Sequence, residues 1–225
     1  VSGDVLALPV LPGELTPAAI RGLVGRDDPL IVEVGANAGQ TTRELLHAMP
    51  RATLHAFEPD PRAIAKFRQQ AWPPGVRLHE CALGAVAGQA TFHQSAGEEH
   101  LPGYEAGWDQ SGSIHRPLGH LQKWPWIRFD RQITVPVTTL DAWAAEQGIT
   151  AVDFIWSDAQ GAEGDLIDGA SGLLPRVRYL YTEYCNGEIY EGQPDLAQLA
   201  AKLPDFELVR RFQWDALFRN RRWPA

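Results

Sequence analysis

Along this 225-residue chain the apolar positions switch repeatedly between two periods. Residues 30–34 form a short, nearly continuous apolar run, the mark of a strand buried on both faces. From about residue 39 to 48 a helical period takes over, with Leu45, Leu46 and Met49 on one face. The couplet recurs. A strand at 52–57 is followed by a helix at 61–70, opened by Pro61 after Asp60; a strand at 133–137 precedes a helix at 139–146. A strongly apolar strand at 151–156 leads to a helix from about Gly161 that carries Glu163, Leu166 and Ile167, and a strand at 177–182 leads to a helix at 196–203. Residues 76–80 predict a further strand, and 89–93 a short extra one. Two last runs, 206–212 and 216–219, predict a hairpin turned at Trp214 and Asp215. Ahead of all these, residues 1–29 read as a Pro-rich lead with one short helix at 16–24, Thr16 serving as N-cap and Pro17 as first residue. Alternating strands and helices predict an α/β fold with a doubly wound, mostly parallel sheet of about seven strands and a C-terminal antiparallel hairpin. Residues 30–225 make one large domain of ordinary size.

Residues 94–131 break the rhythm. They are rich in Gly, His, Trp and Pro, show no convincing helix, and are too long for a passive connection. Tyr104, Trp108, Trp124 and Trp126 argue against disorder. The expectation is an insertion that lies over a functional site and contributes to it.

The chemistry is concentrated at strand ends. Gly35-Ala36-Asn37-Ala38-Gly39-Gln40-Thr41 joins the first strand to its helix, the place where open α/β sheets bind nucleotide-like ligands. The second strand ends in Glu58-Pro59-Asp60, and Glu58, 23 positions beyond Gly35, suits two ribose hydroxyls because a carboxylate accepts both hydrogen bonds. Dinucleotide binding wants G-x-G-x-x-G, yet the second and third glycine positions hold Asn37 and Gln40. The loop therefore fits an adenosyl ligand without phosphates, such as S-adenosylmethionine, better than NAD. A purely structural glycine turn with a solvated Glu58 is the plain alternative.

Bulk properties narrow the classes. An apolar fraction of 44% with 21% charged residues is that of a soluble globular protein, and a net charge of −8 argues against a broad nucleic-acid surface. No apolar run approaches a membrane span and no basic-plus-apolar leader is present; the first residue is Val1, which leaves the native start open. Cys81 and Cys185 match no metal-ligand spacing and read as reduced, buried thiols, pointing to the cytoplasm.

Val32-Glu33-Val34-Gly35-Ala36-Asn37-Ala38-Gly39, Phe57-Glu58-Pro59, Thr139-Leu140-Asp141 and Asp158-Ala159-Gln160-Gly161-Ala162-Glu163 together resemble the FkbM-type S-adenosylmethionine-dependent methyltransferases. Glu183-Tyr184 and Ala216-Leu217-Phe218 fit the same pattern, so the resemblance covers roughly residues 30 to 220. It implies the class I, Rossmann-like methyltransferase fold and methyl transfer to a hydroxyl of a sugar or other small molecule. One departure stands out: where such sequences commonly carry a lysine two positions ahead of the aspartate, this chain has Trp156, which puts the substrate side of the pocket in question.

The resemblance and the strand-end positions together give the candidate site. Glu33, Gly35, Asn37, Gly39, Thr41, Glu58, Cys81, Ala82 and Asp158 are expected around the cofactor: the glycines for backbone approach, Asn37 and Thr41 for the methionine carboxylate, Glu58 for the ribose, 80–82 beside the adenine. Asp158 is expected to act in catalysis, with His115 as general base and His100 or His120 as alternatives; Glu163 is either catalytic or a helix cap. Asp158, Glu183 and Asn186 are hard oxygen donors that admit Mg²⁺. Trp108, Trp124 and Trp126 are expected either to wall a sugar face or to anchor the insertion. The partner expected is a small-molecule or sugar acceptor, with no nucleic acid and no membrane span, and self-association into a homo-oligomer left open. The alternatives kept are an NAD-dependent oxidoreductase and a methyltransferase-like module that binds without turnover.

Overall fold

The computed structural model describes residues 8–97 and 108–224. Eight strands form the main sheet: β1 (Val10–Leu11), β2 (Leu30–Val34), β3 (Thr53–Phe57), β4 (Val76–His79), β8 (Val152–Ser157), β9 (Val177–Glu183), β10 (Phe206–Phe212) and β11 (Asp215–Asn220). Their order is β1-β10-β11-β9-β8-β2-β3-β4. The five strands from β9 to β4 are mutually parallel, and β11 runs antiparallel to both of its neighbours. This is the expected doubly wound sheet with a terminal hairpin, extended by one two-residue edge strand, β1, from the lead. The hairpin turns at Gln213 and Trp214.

Both faces of the sheet are covered because its central strands are apolar on both. Ile31, Leu54, Ala56 and Phe154 point into one core, shared with Ile20, Leu45, Met49 and Phe67 of helices α1 (Pro17–Val24), α2 (Gln40–Ala48) and α3 (Pro61–Arg68), Met49 lying at the α2 C-cap. Val32, Val34, Phe57 and Ile155, their neighbours on the same strands, point into the other. There they meet α5 (Leu140–Gln147), α6 (Glu163–Asp168) and α7 (Leu196–Lys202). The caps read from sequence form: Thr16 accepts from Ala19 N, and Asp60 from Arg62 N.

The break in rhythm is more ordered than its composition suggested. A separate three-stranded sheet, in the order β5-β7-β6, is built from β5 (Ala82–Leu83), β6 (Gly88–Gly97) and β7 (Ile127–Thr138). The long antiparallel β6–β7 pair lengthens both short predicted strands into the supposed insertion, with a bulge between Gln94 and Ala96. A single helical turn, α4 (His120–Lys123), also corrects the helix-free expectation. Residues 108–119 cross back over the sheet, held by bridges between His93 and Ser113 and between Pro117 and Tyr190. Among the described residues no helix is long and apolar enough to cross a membrane.

Candidate active site

Two adjoining cavities lie at the carboxyl ends of the parallel strands, the expected edge of an open sheet. The first, about 270 Å³, is framed by the segments that follow β2, β3, β4 and β8, and is roofed by Asp109, Gln110, Gly112, Ser113 and Ile114. Its floor depends on a close approach. Gly35 has φ 81°, and a Cβ there would collide with the Asp158 carbonyl oxygen, so the loop passes β8 only with glycine. Gly39 has a different role from the one expected. It packs against the rings of Trp72 and Phe67, does not line the cavity, and caps α2 with φ 86°.

Glu58 sits in the cavity wall and is buried. Its Oε2 accepts from Asn37 N at 2.8 Å and its Oε1 from Asp60 N at 2.7 Å. Each oxygen retains a second lone pair for a ligand hydroxyl. Burial pushes this carboxyl up to about 7, against the opposing pull of the two N–H donors. Asn37 lines the cavity in a left-handed conformation, φ 46°. Its side chain is engaged, with Oδ1 accepting from Ala38 N at 2.7 Å and Nδ2 donating to the Asp109 carbonyl at 3.1 Å. Lys66 holds the Asp109 carboxylate at 2.7 Å. Asn37 therefore ties down the roof instead of standing free for a carboxylate. Thr41, Cys81 and Ala82 line the cavity as expected. Glu33 and Glu80 do not. Glu33 is buried beneath the loop, its Oε2 accepting from Thr42 Oγ1 at 2.5 Å, and burial pushes it up to about 8. Glu80 turns outward to Arg68.

The second cavity, about 380 Å³, opens beside the first. Asp158, Gln160 and Gln110 line both. Gln160, at φ 49°, donates from Nε2 to Asp158 Oδ1 at 2.5 Å and to Glu183 Oε2 at 3.1 Å. The Tyr190 hydroxyl lies 2.9 Å from Gln160 Oε1 and 2.9 Å from the Ser111 carbonyl oxygen. Gln160 thus bridges the Asp158 and Glu183 carboxyls. Burial raises both carboxyls, and the neighbouring charges of Asp158 and Glu163 lift Glu183 further. Of the two, Glu183 is held the more strongly toward its neutral form. Trp108, Trp124, Trp156 and Trp214 bring aromatic surface to this cavity, and Glu14 and Asp215 add carboxyl groups. Burial raises Asp215 to about 7, with the charges of Glu14 and Asp158 adding to the effect.

Several expected residues lie elsewhere. His115 lines neither cavity, because Asp165 Oδ2 and the Glu191 carbonyl engage its two ring nitrogens at 2.9 and 2.7 Å. It pins the insertion to α6 instead of facing a hydroxyl. His120 does line the second cavity, but burial pushes it down to about 4, which makes it a weak base at neutral pH. His100 and Tyr104 lie outside the described residues. Glu163 lines neither cavity; its Oε1 accepts from Ala159 N at 3.0 Å and Gly161 N at 3.2 Å, shaping the loop ahead of α6. The three expected metal donors do not converge, since Asn186 is exposed and outside both cavities. Among the described residues no cluster of three or more His, Cys, Asp or Glu is arranged to hold a metal ion. Trp126 lines neither cavity, while Trp108 and Trp124 do contribute wall.

Sequence reasoning missed Gln110, Ser113 and Ile114, which the pattern left in an unassigned insertion, and Glu14, Tyr190 and Trp214, which come from segments remote in the chain. Gln160 was visible within the D-x-Q-G-x-E element but carried no assigned role. Trp156 was flagged, and it stands in the second cavity with its ring 4.6 Å from that of Tyr181.

Comparison with known proteins gives the family. Residues 33–219 match the methyltransferase FkbM domain. The 2-O-methyltransferase NoeI of Sinorhizobium fredii is 42% identical over 206 residues, covering 89% of this chain and 83% of that protein. A crystal structure of the methyltransferase FkbM from Methylobacillus flagellatus superposes with a TM-score of 0.52 at 17% identity, over 86% of this chain. The chain spans 44% of that protein's length. The pre-rRNA processing protein fibrillarin of Methanococcus jannaschii shares the fold, with a TM-score of 0.50 at 12% identity over 97% of this chain and 85% of that one. The oxidoreductase alternative falls with these matches, and the chain belongs to the FkbM methyltransferase family.

Proposed function

We propose that the protein is an S-adenosylmethionine-dependent O-methyltransferase whose acceptor is a hydroxyl of a carbohydrate or a closely related small molecule. The observation that carries this reading is the shared wall. Asp158, Gln160 and Gln110 border both cavities, so a carboxylate stands where a donor in one would meet a hydroxyl in the other.

The residues of the first cavity suit an adenosyl donor without phosphates. Among the described residues no Lys or Arg lines it, Glu58 keeps lone pairs for two ribose hydroxyls, and Phe57, Ala82, Leu83 and Ile114 offer apolar walls to a base. When bound, S-adenosylmethionine supplies a methyl group made electrophilic by its sulfonium charge. The chain supplies position and a proton acceptor. Asp158 is placed to take the hydroxyl proton, and its raised affinity for protons makes it a better base than a solvated aspartate. Gln160 fixes its orientation, and Glu183 and Tyr190 hold Gln160. The roof at 109–114 covers the donor side of the meeting point. Tryptophans interleaved with carboxyls in the second cavity support a sugar, whose C–H faces lie on rings while its hydroxyls find acceptors. The name of the Sinorhizobium relative supports oxygen as the atom methylated. Two free thiols, Cys81 and Cys185, support a cytoplasmic setting.

Incubation with S-adenosylmethionine and a panel of neutral sugar acceptors is expected to yield S-adenosylhomocysteine and a methyl ether in equal amounts. Cofactor binding without turnover on any member would leave a binding module in place of an enzyme. Failure of calorimetry to detect the cofactor would remove the reading altogether.

A further inference from the structure

Two of the tryptophans that line the second cavity, Trp124 and Trp214, stand close to each other at its outer side. Trp214 sits in the tight turn between β10 and β11, a position where hairpins favour Gly, Asn or Asp, and it is 40% exposed. Trp124 is the C-cap residue of α4. Lys123 holds its ammonium 3.7 Å from the centre of the Trp214 ring and 4.7 Å from that of Trp124. Both rings line the cavity that contains Asp158. Among the described residues every group lining it that carries a formal charge at neutral pH is acidic, and no Lys or Arg takes part. Within this aromatic mouth the ammonium of Lys123 is thus a tethered occupant of ring faces that attract positive edges of any kind.

We propose that Trp124 and Trp214 form a second sugar-ring subsite, so that the acceptor is a neutral oligosaccharide whose terminal ring reaches Asp158 while the next ring rests on Trp214. The C–H hydrogens on one face of a pyranose carry the partial positive charge that an indole face accepts, the attraction that now holds the lysine. The carboxyls of Glu14 and Asp215 offer acceptors to hydroxyls along the way. The inference rests on the acceptor cavity being a carbohydrate site, and the experiment separates the two.

Two measurements test it, using methyl hexopyranosides and tri- and tetrasaccharides that end in the same hexoses. In turnover, wild type is expected to favour the longer acceptors through KM. Trp214→Ala is expected to raise KM for them about tenfold more than for the methyl glycosides, while Trp214→Phe restores most of the preference. In binding, tryptophan fluorescence is titrated with the unmethylated sugars in the presence of S-adenosylhomocysteine, and the longer sugars are expected to give a change that Trp214→Ala weakens. Fluorescence binding that depends on Trp214, without any turnover, would keep the subsite and discard the proposed reaction. Turnover that Trp214→Ala lowers equally for short and long acceptors, or leaves untouched for both, would overturn the subsite and keep the reaction. If no sugar binds and none is methylated, both fall.

Discussion

At the scale of single residues, Asp158 carries the most chemistry because it belongs to both cavities and is not neutralised by a cation among its described partners. Asp158→Asn keeps the shape and the contact with Gln160 while removing the proton acceptor. It is expected to lower kcat by about 10²–10⁴-fold with little change in melting temperature. A near-normal rate in the same assay would place the base elsewhere. Glu58→Ala removes both ligand-facing oxygens and the two contacts to Asn37 N and Asp60 N, and should weaken S-adenosylmethionine binding by about 1.5–3 kcal/mol in calorimetry. Glu58, Asp158, Thr41, Cys81 and Ala82 were legible in the sequence because each follows a strand whose end the apolar pattern marks. His115, Glu163 and Asn186 were misplaced for one physical reason: sequence position shows that a polar side chain is near a site, but not which neighbouring donor or acceptor claims it first. Asp165 claims His115, the backbone of the preceding loop claims Glu163, and solvent surrounds Asn186.

Among elements, the parallel strands announced themselves because burial on both faces demands continuous apolar runs, and their helices because caps such as Thr16 and Asp60 are local chemistry. The β6–β7 pair showed only its inner parts, at 89–93 and 133–137, since the positions beyond carry exposed Arg and other polar residues and its pairing joins segments far apart in the chain. Where β3, β4 and α5 meet, the structure contains a device that sequence pattern could not show. His55 Nδ1 lies 2.9 Å from His79 Nε2, and Trp143 Nε1 lies 3.3 Å from the same Nε2. Burial, with the neighbouring His79 and Arg77 charges, pushes His55 down to about 4, and burial also lowers His79. In the unfolded chain these rings protonate near pH 6.5, so between pH 6.5 and 4 the unfolded state binds more protons and stability falls as pH falls. The His55 share amounts to about 3 kcal/mol by pH 4. The stability difference between wild type and His55→Leu, read from denaturant midpoints, is expected to shift against wild type as pH falls from 7 to 4.5; a difference that does not change with pH would show that His55 does not titrate in this window.

For the molecule as a whole, the opposite limb of the pH profile comes from its functional end. Glu33, Glu58, Glu163 and Asp215 are raised to about 8, 7, 7 and 7, each chiefly by burial. Their unfolded counterparts ionise near pH 4, so the stability they contribute is complete below that value, falls as pH rises from there, and is gone once pH has passed through 7 and 8. The ligand-free protein should therefore melt at its highest temperature in mildly acidic solution and lose stability toward pH 8.5. A cation among these carboxyls offsets the loss, since it favours their charged forms. S-adenosylmethionine bears a sulfonium charge that S-adenosylhomocysteine lacks, while both carry the same ammonium and carboxylate. The upward shift in melting temperature given by S-adenosylmethionine should therefore exceed that of S-adenosylhomocysteine, and the gap should widen from pH 6 to pH 8.5. The same inequality would help release the spent cofactor once its charge has left with the methyl group. Equal shifts at both pH values, read by differential scanning fluorimetry at matched saturation, would show that the acidic end does not sense the sulfonium. The buried carboxyls would then serve only the packing of the loops at the sheet edge.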